Sequence, residues 1–269
     1  MPKSKTILIT GAGTGLGEGT AIGLAQKGYN VIAGVHIYPQ ATVLREKAEK
    51  LGLKNLRVER LDVLDKYDIK NALQWDVDIL VNNAGIGETG PLFEMPIDLV
   101  HKNFETNYYA PLNLSQKFAA KFIREKKKGK IVFLSSMGGL FLPEHFGSYC
   151  STKHAVEAMA EALQQELKKY DIQVQTINPG AYTTGFNETM LETSFRWLDD
   201  SKNFTKKADL RASIDKQLDS PDWKLVPQDM INRMVEVIPA DTGKFRNVWP
   251  PHIEVMLKDS QAKAWDNTI

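Results

Sequence analysis

The sequence predicts an α/β fold, a doubly wound and mostly parallel sheet with helices on both faces, forming a single domain over residues 1–269. Two observations carry this. Short apolar, β-branched runs alternate with longer helix-patterned segments, and parallel strands need such crossovers to connect them. No proline- or glycine-rich linker, internal repeat or low-complexity block interrupts the alternation.

In chain order, "KTILIT" (5–10), "NVIAGV" (30–35), "LRVERL" (56–61), "VDILVN" (77–82), "KIVFLS" (130–135) and "IQVQTIN" (172–178) read as buried strands. Helical patterns fill about 15–28, 39–51, 96–127 and 148–170. The basic run "KFIREKKKGK" (121–130) reads as a helix end, where cations complement the dipole. After Pro179 the rhythm stops. Residues 181–226 carry aromatics and scattered charge and read as one or two helices in an excursion from the sheet. A helix at 227–238 and a short strand at 245–249 follow, and the final twenty residues show no assignable element.

Composition narrows the function. Thirty-four basic against 33 acidic residues leave a net charge of +1, which gives no field for nucleic acid or an anionic membrane. The single cysteine, Cys150, fits a reducing compartment. The apolar run after the N-terminal lysines is four residues long, too short for a signal-peptide core, and no stretch is long enough to span a bilayer. The expected location is the cytoplasm. The five histidines form no HExxH, so no metal site is expected.

The segment "ILITGAGTGLGEGTAIGLAQKG" has the order strand, glycine turn, helix. There a helix N-terminus points free N–H groups at a pyrophosphate, so Gly11, Thr14, Gly15, Leu16 and Gly17 are candidate dinucleotide-binding residues. No Walker-type GK[ST] is present. Asp62, beside Val63 at the end of the third strand, is placed to accept from an adenine amino group. "VNNAG" (81–85) ends the fourth strand; Asn82 and Asn83 alone would read as strand-end caps. In register with the glycine turn, Asn83, Ala84 and Gly85 read as cofactor contacts.

Tyr149 and Lys153 lie one helical turn apart, a spacing that by itself is only helix surface. Together, "TGAGTGLG", "NNAG", Asn107, "LSS", "YCSTK" and "NPGAYTT" occur in an order and spacing that resembles the short-chain dehydrogenase/reductase family, from about residue 5 to 184. The resemblance implies a single-domain Rossmann fold and NAD(P)-dependent interconversion of a hydroxyl and a carbonyl on a small molecule. It implies Tyr149 as general acid/base, Lys153 as the cation that lowers its pKa and bonds the nicotinamide ribose, and Ser136 as the group orienting the substrate oxygen. If the strand continues that far, Ser135 is expected to point to the opposite face. Pro179 and Gly180 would pass beside the nicotinamide, with Thr184 at its carboxamide.

Pro111 follows Asn107 by four residues and has no N–H, so the Asn107 carbonyl loses its helical donor and calls for an ordered water. By the resemblance, such a water links the asparagine to the lysine. Phe141, Phe146, Tyr182 and Phe186 are candidate apolar substrate-pocket residues under the excursion. His145 and Cys150 are close in sequence, but a small core cysteine is the simpler reading than a nucleophile and its base.

The second strand ends in Val35 and His36, with neither the acid that repels a 2′-phosphate nor the arginine that welcomes one. The missing acid tilts the expectation to NADP, with His36 or Arg45 as helpers. The helix before "NNAG" is short for the family, and the C-terminal third lacks the glycine-rich ending of many members. A homodimer or homotetramer is expected. Two rival functions use similar sheets. A non-catalytic dinucleotide-sensing regulator need not keep Ser136, Tyr149 and Lys153 together, and a methyltransferase would prefer an acid where this chain has Thr10-Gly11-Ala12.

Overall fold

The structure, a computed structural model, describes residues 4–268. Seven strands form one sheet: β1 (Thr6–Ile9), β2 (Asn30–Val35), β3 (Leu56–Arg60), β4 (Ile79–Asn82), β5 (Lys130–Leu134), β6 (Gln173–Pro179) and β7 (Arg246–Trp249). Their order is β3-β2-β1-β4-β5-β6-β7, and every neighbouring pair is parallel. The chain winds outward in both directions from the gap between β1 and β4, which is the switch point where such sheets bind ligands.

Alternate strand residues feed two cores. Ile7, Ile9, Val31, Ala33, Ile79, Val81 and Val132 pack beneath α1 (Gly15–Gln26), α2 (Tyr38–Lys50) and α10 (Pro227–Val237). Leu8, Ile32, Leu80, Ile131 and Phe133 pack beneath α3 (Lys66–Ala72), α5 (Ala110–Arg124) and α6 (Gly147–Leu167). The period of two in strands buried on both faces explains why they read as unbroken apolar runs.

The long helix expected at 96–127 is two helices. α4 (Ile97–Phe104) passes through a π-helical turn, Glu105–Tyr109, into α5, which begins one residue before Pro111. A proline without an N–H cannot continue the α ladder, and the wider turn absorbs the defect. The basic run does more than complement a dipole: the buried Lys121 donates to the carbonyls of Leu73 and Trp75 just past α3, and Lys127 pairs with Asp76 and Asp78.

The excursion holds more helix than the sequence predicts: α7 (Phe186–Glu192), α8 (Ser194–Trp197), α9 (Lys207–Leu218) and a 3₁₀ turn at Pro221–Trp223. Its apolar side chains Met190, Leu191, Leu198, Leu210 and Ile214 pack with Phe146, Tyr149 and Cys150 at the start of α6. The unassigned C-terminal segment forms α11 (Pro251–Ala264), buried through Ile253 and Leu257 against Val248.

Candidate active site

Six of the seven strands end beside a candidate residue, all at the carboxyl edge of the sheet: Gly11 after β1, His36 after β2, Asp62 after β3, Asn83 after β4, Ser136 after β5 and Pro179 closing β6. The glycine turn and the "NNAG" segment are stapled together. Thr10 Oγ1 accepts from the amides of Asn83 and Ala84 (3.0 Å each), and Asn83 Nδ2 donates to the carbonyls of Thr10 (2.8 Å) and Gly11 (3.0 Å). Gly11 has a φ of +63°, and a Cβ on it would lie 2.7 Å from Ala84 Cα; one on Gly17 would lie 2.5 Å from Asn83 Nδ2. Only glycine permits this approach. Thr14, the N-cap of α1, makes no side-chain cap hydrogen bond, so the helix's first amides are free for an anion. Thr184 packs against Gly15, bringing the start of the excursion onto the same turn.

Asn82 turns the other way. Its amide donates to Ser115 on α5 (2.9 Å), so of the two asparagines only Asn83 shapes the cradle.

Asn107 sits inside the π turn, nearly inaccessible to solvent. Its Oδ1 accepts from the Ile86 amide (2.9 Å), and its Nδ2 donates to the Ile86 carbonyl (2.8 Å) and Thr152 Oγ1 (3.1 Å). It therefore clamps the chain leaving Gly85 to α6. A Cβ on Gly85 would lie 3.2 Å from Asn107 Oδ1 and 3.8 Å from Lys153 Nζ, which brings these three residues into one corner.

After β5, the Ser136 hydroxyl accepts from the Gly138 amide (3.0 Å) and shares a cleft with the Tyr149 phenol of α6. Lys153 Nζ donates to the Leu134 carbonyl (2.9 Å) and lies 5.6 Å from the centroid of the Tyr149 ring. Both side chains are buried, and burial disfavours both charged forms. Burial pushes the Tyr149 phenol well above its ordinary value, while the Ser136 hydroxyl pulls against it. In the protein alone, desolvation is the larger influence on the phenol. Burial lowers the Lys153 ammonium to about 8, with the Glu157 carboxylate acting the other way.

Ser135, expected to turn away from Ser136, has its hydroxyl buried near Gly139, toward α6. The strand ends at Leu134, so strict alternation no longer applies there.

A cleft of about 40 Å³ adjoins Ser136 and Tyr149, lined by Met137, Phe146, Cys150, Asn187, Met190 and Trp223. Phe146 lines it, and Phe186 packs on the Tyr149 ring at 5.9 Å between centroids. Phe141 instead packs with α11, and Tyr182 joins the core beneath α10. Trp223 escaped the sequence reading because it lies 74 residues from Tyr149 in a segment without periodicity. Burial raises the Cys150 thiol to about 12, so it is not a thiolate nucleophile.

At the adenosine end, His36 Nε2 lies 3.4 Å from Asp62 Oδ2, while Asp62 Oδ1 accepts from the Leu64 amide (2.9 Å). Arg45 is spent on the Val58 carbonyl (2.7 Å), two residues back along β3 from Arg60, and does not reach this corner. Val63 is buried at the edge of a larger groove, about 520 Å³, between α3 and α5.

A doubly wound sheet with a glycine cradle at its switch point, facing a serine beside a buried tyrosine and lysine, defines a dinucleotide-dependent oxidoreductase. Residues 5–194 match the family described as short chain dehydrogenase, and the chain belongs to that family. It is thereby an enzyme of the NAD(P)-dependent oxidoreductase class, which leaves the sensing-regulator and methyltransferase readings without support. The chain is 32% identical over 188 residues to 3-ketodihydrosphingosine reductase of Bacteroides thetaiotaomicron, spanning 68% of this chain and 65% of that protein's length. It is 33% identical over 205 residues to diacetyl reductase [(S)-acetoin forming] of Staphylococcus epidermidis, spanning 74% and 79%. A solved short-chain dehydrogenase/reductase from Burkholderia phymatum in complex with NAD shares the fold, with a TM-score of 0.81 at 23% identity, covering 98% of this chain and 95% of that one. Among the described residues, no helix is long and apolar enough to cross a membrane, and no group of metal-ligating side chains occurs.

Proposed function

We propose that residues 1–269 form one catalytic unit interconverting a small-molecule ketone and alcohol, with Tyr149 as the general acid/base. The ends of that range, residues 1–3 and 269, lie outside the described structure. The observation that carries the proposal is the meeting of Ser136 and Tyr149 on one cleft, with Lys153 Nζ 5.6 Å from the Tyr149 ring centroid.

The amides of Thr14, Gly15, Leu16 and Gly17 hold the diphosphate of the cofactor. Asp62 and Val63 hold the adenine, and Asn83, Ala84 and Gly85 line the path between. Pro179, Gly180 and Thr184 hold the nicotinamide end. When bound, the cofactor supplies or accepts the hydride and, oxidised, adds positive charge beside the phenol. The neutral Tyr149 phenol is the form needed to protonate a ketone oxygen, and burial secures that form. The Ser136 hydroxyl turns to the same oxygen and holds it in line. Lys153 stabilises the tyrosinate left behind, and Asn107, clamped beside it, seats the water that returns the proton.

For cofactor choice the reading is NADP. His36 is exposed at the ribose corner where an acid would favour NAD, although Asp62 places one carboxylate nearby. Titration of the purified protein with NADPH and NADH tests this; tighter NADPH binding is expected, and tighter NADH binding overturns it. The cleft walls of Met137, Phe146, Met190 and Trp223 favour an apolar substituent on the carbonyl. A cytoplasmic homodimer or homotetramer is the working assembly, checked by light scattering.

A panel of ketones and alcohols followed at the nicotinamide absorbance tests the reaction. Tyr149→Phe should lower turnover by about 10²-fold or more; unchanged turnover overturns the assignment.

A further inference from the structure

Behind the catalytic residues lies an ion pair, with its carboxylate buried, that the proposed chemistry does not use. Glu157 sits on α6 one turn beyond Lys153, and its carboxylate is almost wholly buried. Three residues from two strands reach it. Asn178 on β6 donates to Oε1 (2.7 Å), and Arg246 on β7 donates to Oε2 (2.8 Å). Thr176 on β6 stands 3.5 Å from Oε2 but gives its one proton at shorter range to Asn178 Oδ1 (3.0 Å). Asn178 also donates to the Ser136 backbone carbonyl (3.2 Å). Gly139 lets the turn after Ser136 settle on this cluster: a Cβ there would lie 3.2 Å from Glu157 Cγ and 2.9 Å from the Lys153 carbonyl.

We propose that Glu157 is a positioning residue for the reaction, holding Ser136 in place through Asn178 and keeping the neighbouring Lys153 in its cationic form. The inference rests on the assignment of Tyr149, Lys153 and Ser136 as the reacting groups.

The physical argument is one of sign. Burying Lys153 favours the neutral amine. Among the charged and titratable groups around it, Tyr149 and Glu157 share its helix, and Arg246 faces Glu157 from β7. Asn107, Ser135, Ser136, Thr176 and Asn178 face the corner as neutral dipoles. Glu157 is thus the carboxylate that opposes desolvation, and Arg246, 38% exposed at its side chain, offsets part of that field. A carboxylate whose oxygens are matched by hydrogen bonds tolerates this burial.

The test uses the full chain. Glu157→Gln keeps the shape and an oxygen for Asn178 but removes the charge. In the cofactor-free protein, the Lys153 Cε resonance, followed by ¹³C NMR, should titrate at lower pH than in wild type. The alkaline limb of kcat/KM for ketone reduction should move the same way, so that the wild-type-to-variant ratio grows about tenfold between pH 7 and pH 9. Glu157→Asp should restore the limb's position even where the amplitude stays low. Arg246→Met, on a half-exposed side chain, should move both readouts upward and decides the matter if Glu157→Gln does not fold. Superimposable titrations in these variants overturn the inference. If Tyr149→Phe also leaves turnover intact, the underlying assignment fails; if it abolishes turnover, only the role of Glu157 fails.

Discussion

Thr10 shows how much of the site hangs on a single hydroxyl. Its oxygen accepts from two amides of the "NNAG" segment and is 3.4 Å from the Val81 carbonyl, its acceptor. Replacement by valine keeps the shape and strands the amide of Ala84, while the Asn83 amide keeps the Val81 carbonyl (3.1 Å). An unsatisfied amide costs about 1–3 kcal/mol, so Thr10→Val should lower stability by about 1–3 kcal/mol and weaken cofactor binding together. Denaturant unfolding and cofactor titration check it; a stable variant with normal affinity contradicts the staple. Sequence spacing made Tyr149, Lys153 and Ser136 legible because the chemistry repeats in a fixed order. It could not show the pairing of His36 with Asp62, nor that of Glu157 with Arg246, since partners 26 and 89 residues apart leave no local periodicity.

At the level of elements, the break between α4 and α5 is the sequence feature with the clearest structural consequence. Pro111 has no amide for the Asn107 carbonyl, and the π turn at Glu105–Tyr109 lies directly before it. That turn aims Asn107 at Ile86 and Thr152. Pro111→Ala restores a donor and lets the helix run as regular α, rotating upstream side chains by about 100° for a one-residue slip in register. The expected result is a stable protein with turnover reduced about tenfold or more, read from steady-state kinetics and thermal unfolding. Wild-type turnover would separate the π turn from the chemistry. The excursion was harder to read because its helices are short and their apolar residues face a partner remote in sequence. Trp223, whose ring lies 5.3 Å from that of Phe146, roofs the cleft. Trp223→Ala should raise kcat/KM for bulkier ketones relative to small ones, measured on a homologous substrate series; an unchanged preference would remove Trp223 from the pocket.

The whole molecule couples the sheet to solution pH through buried titratable groups both at the site and away from it. Lys130, on β5, points to the end opposite the cleft and donates to the carbonyls of Val237 (3.2 Å) and Ala240 (2.8 Å). Burial, then repulsion by Lys5, lowers its ammonium to about 8, against about 10.4 in an unfolded chain. A cation with a depressed folded pKa penalises the fold while both states are protonated. As pH rises through 8, the folded state sheds its proton first, the unfolded state binds more, and stability increases. The full span amounts to about 3 kcal/mol for Lys130, and Lys153, lowered to about 8, adds in the same direction. Above pH 10 the trend reverses, because Tyr149 and Tyr182 are raised by burial and stay neutral in the fold while their unfolded counterparts ionise. Urea unfolding should therefore give a midpoint that climbs from pH 8 to about 10 and then falls. Lys130→Met should show a shallower climb, its lost hydrogen bond to Val237 covered by Gln175, which donates to the same carbonyl at 3.2 Å. A flat profile in the wild type, or an equal climb in the variant, would show that the lysine is charged in the fold as freely as in water.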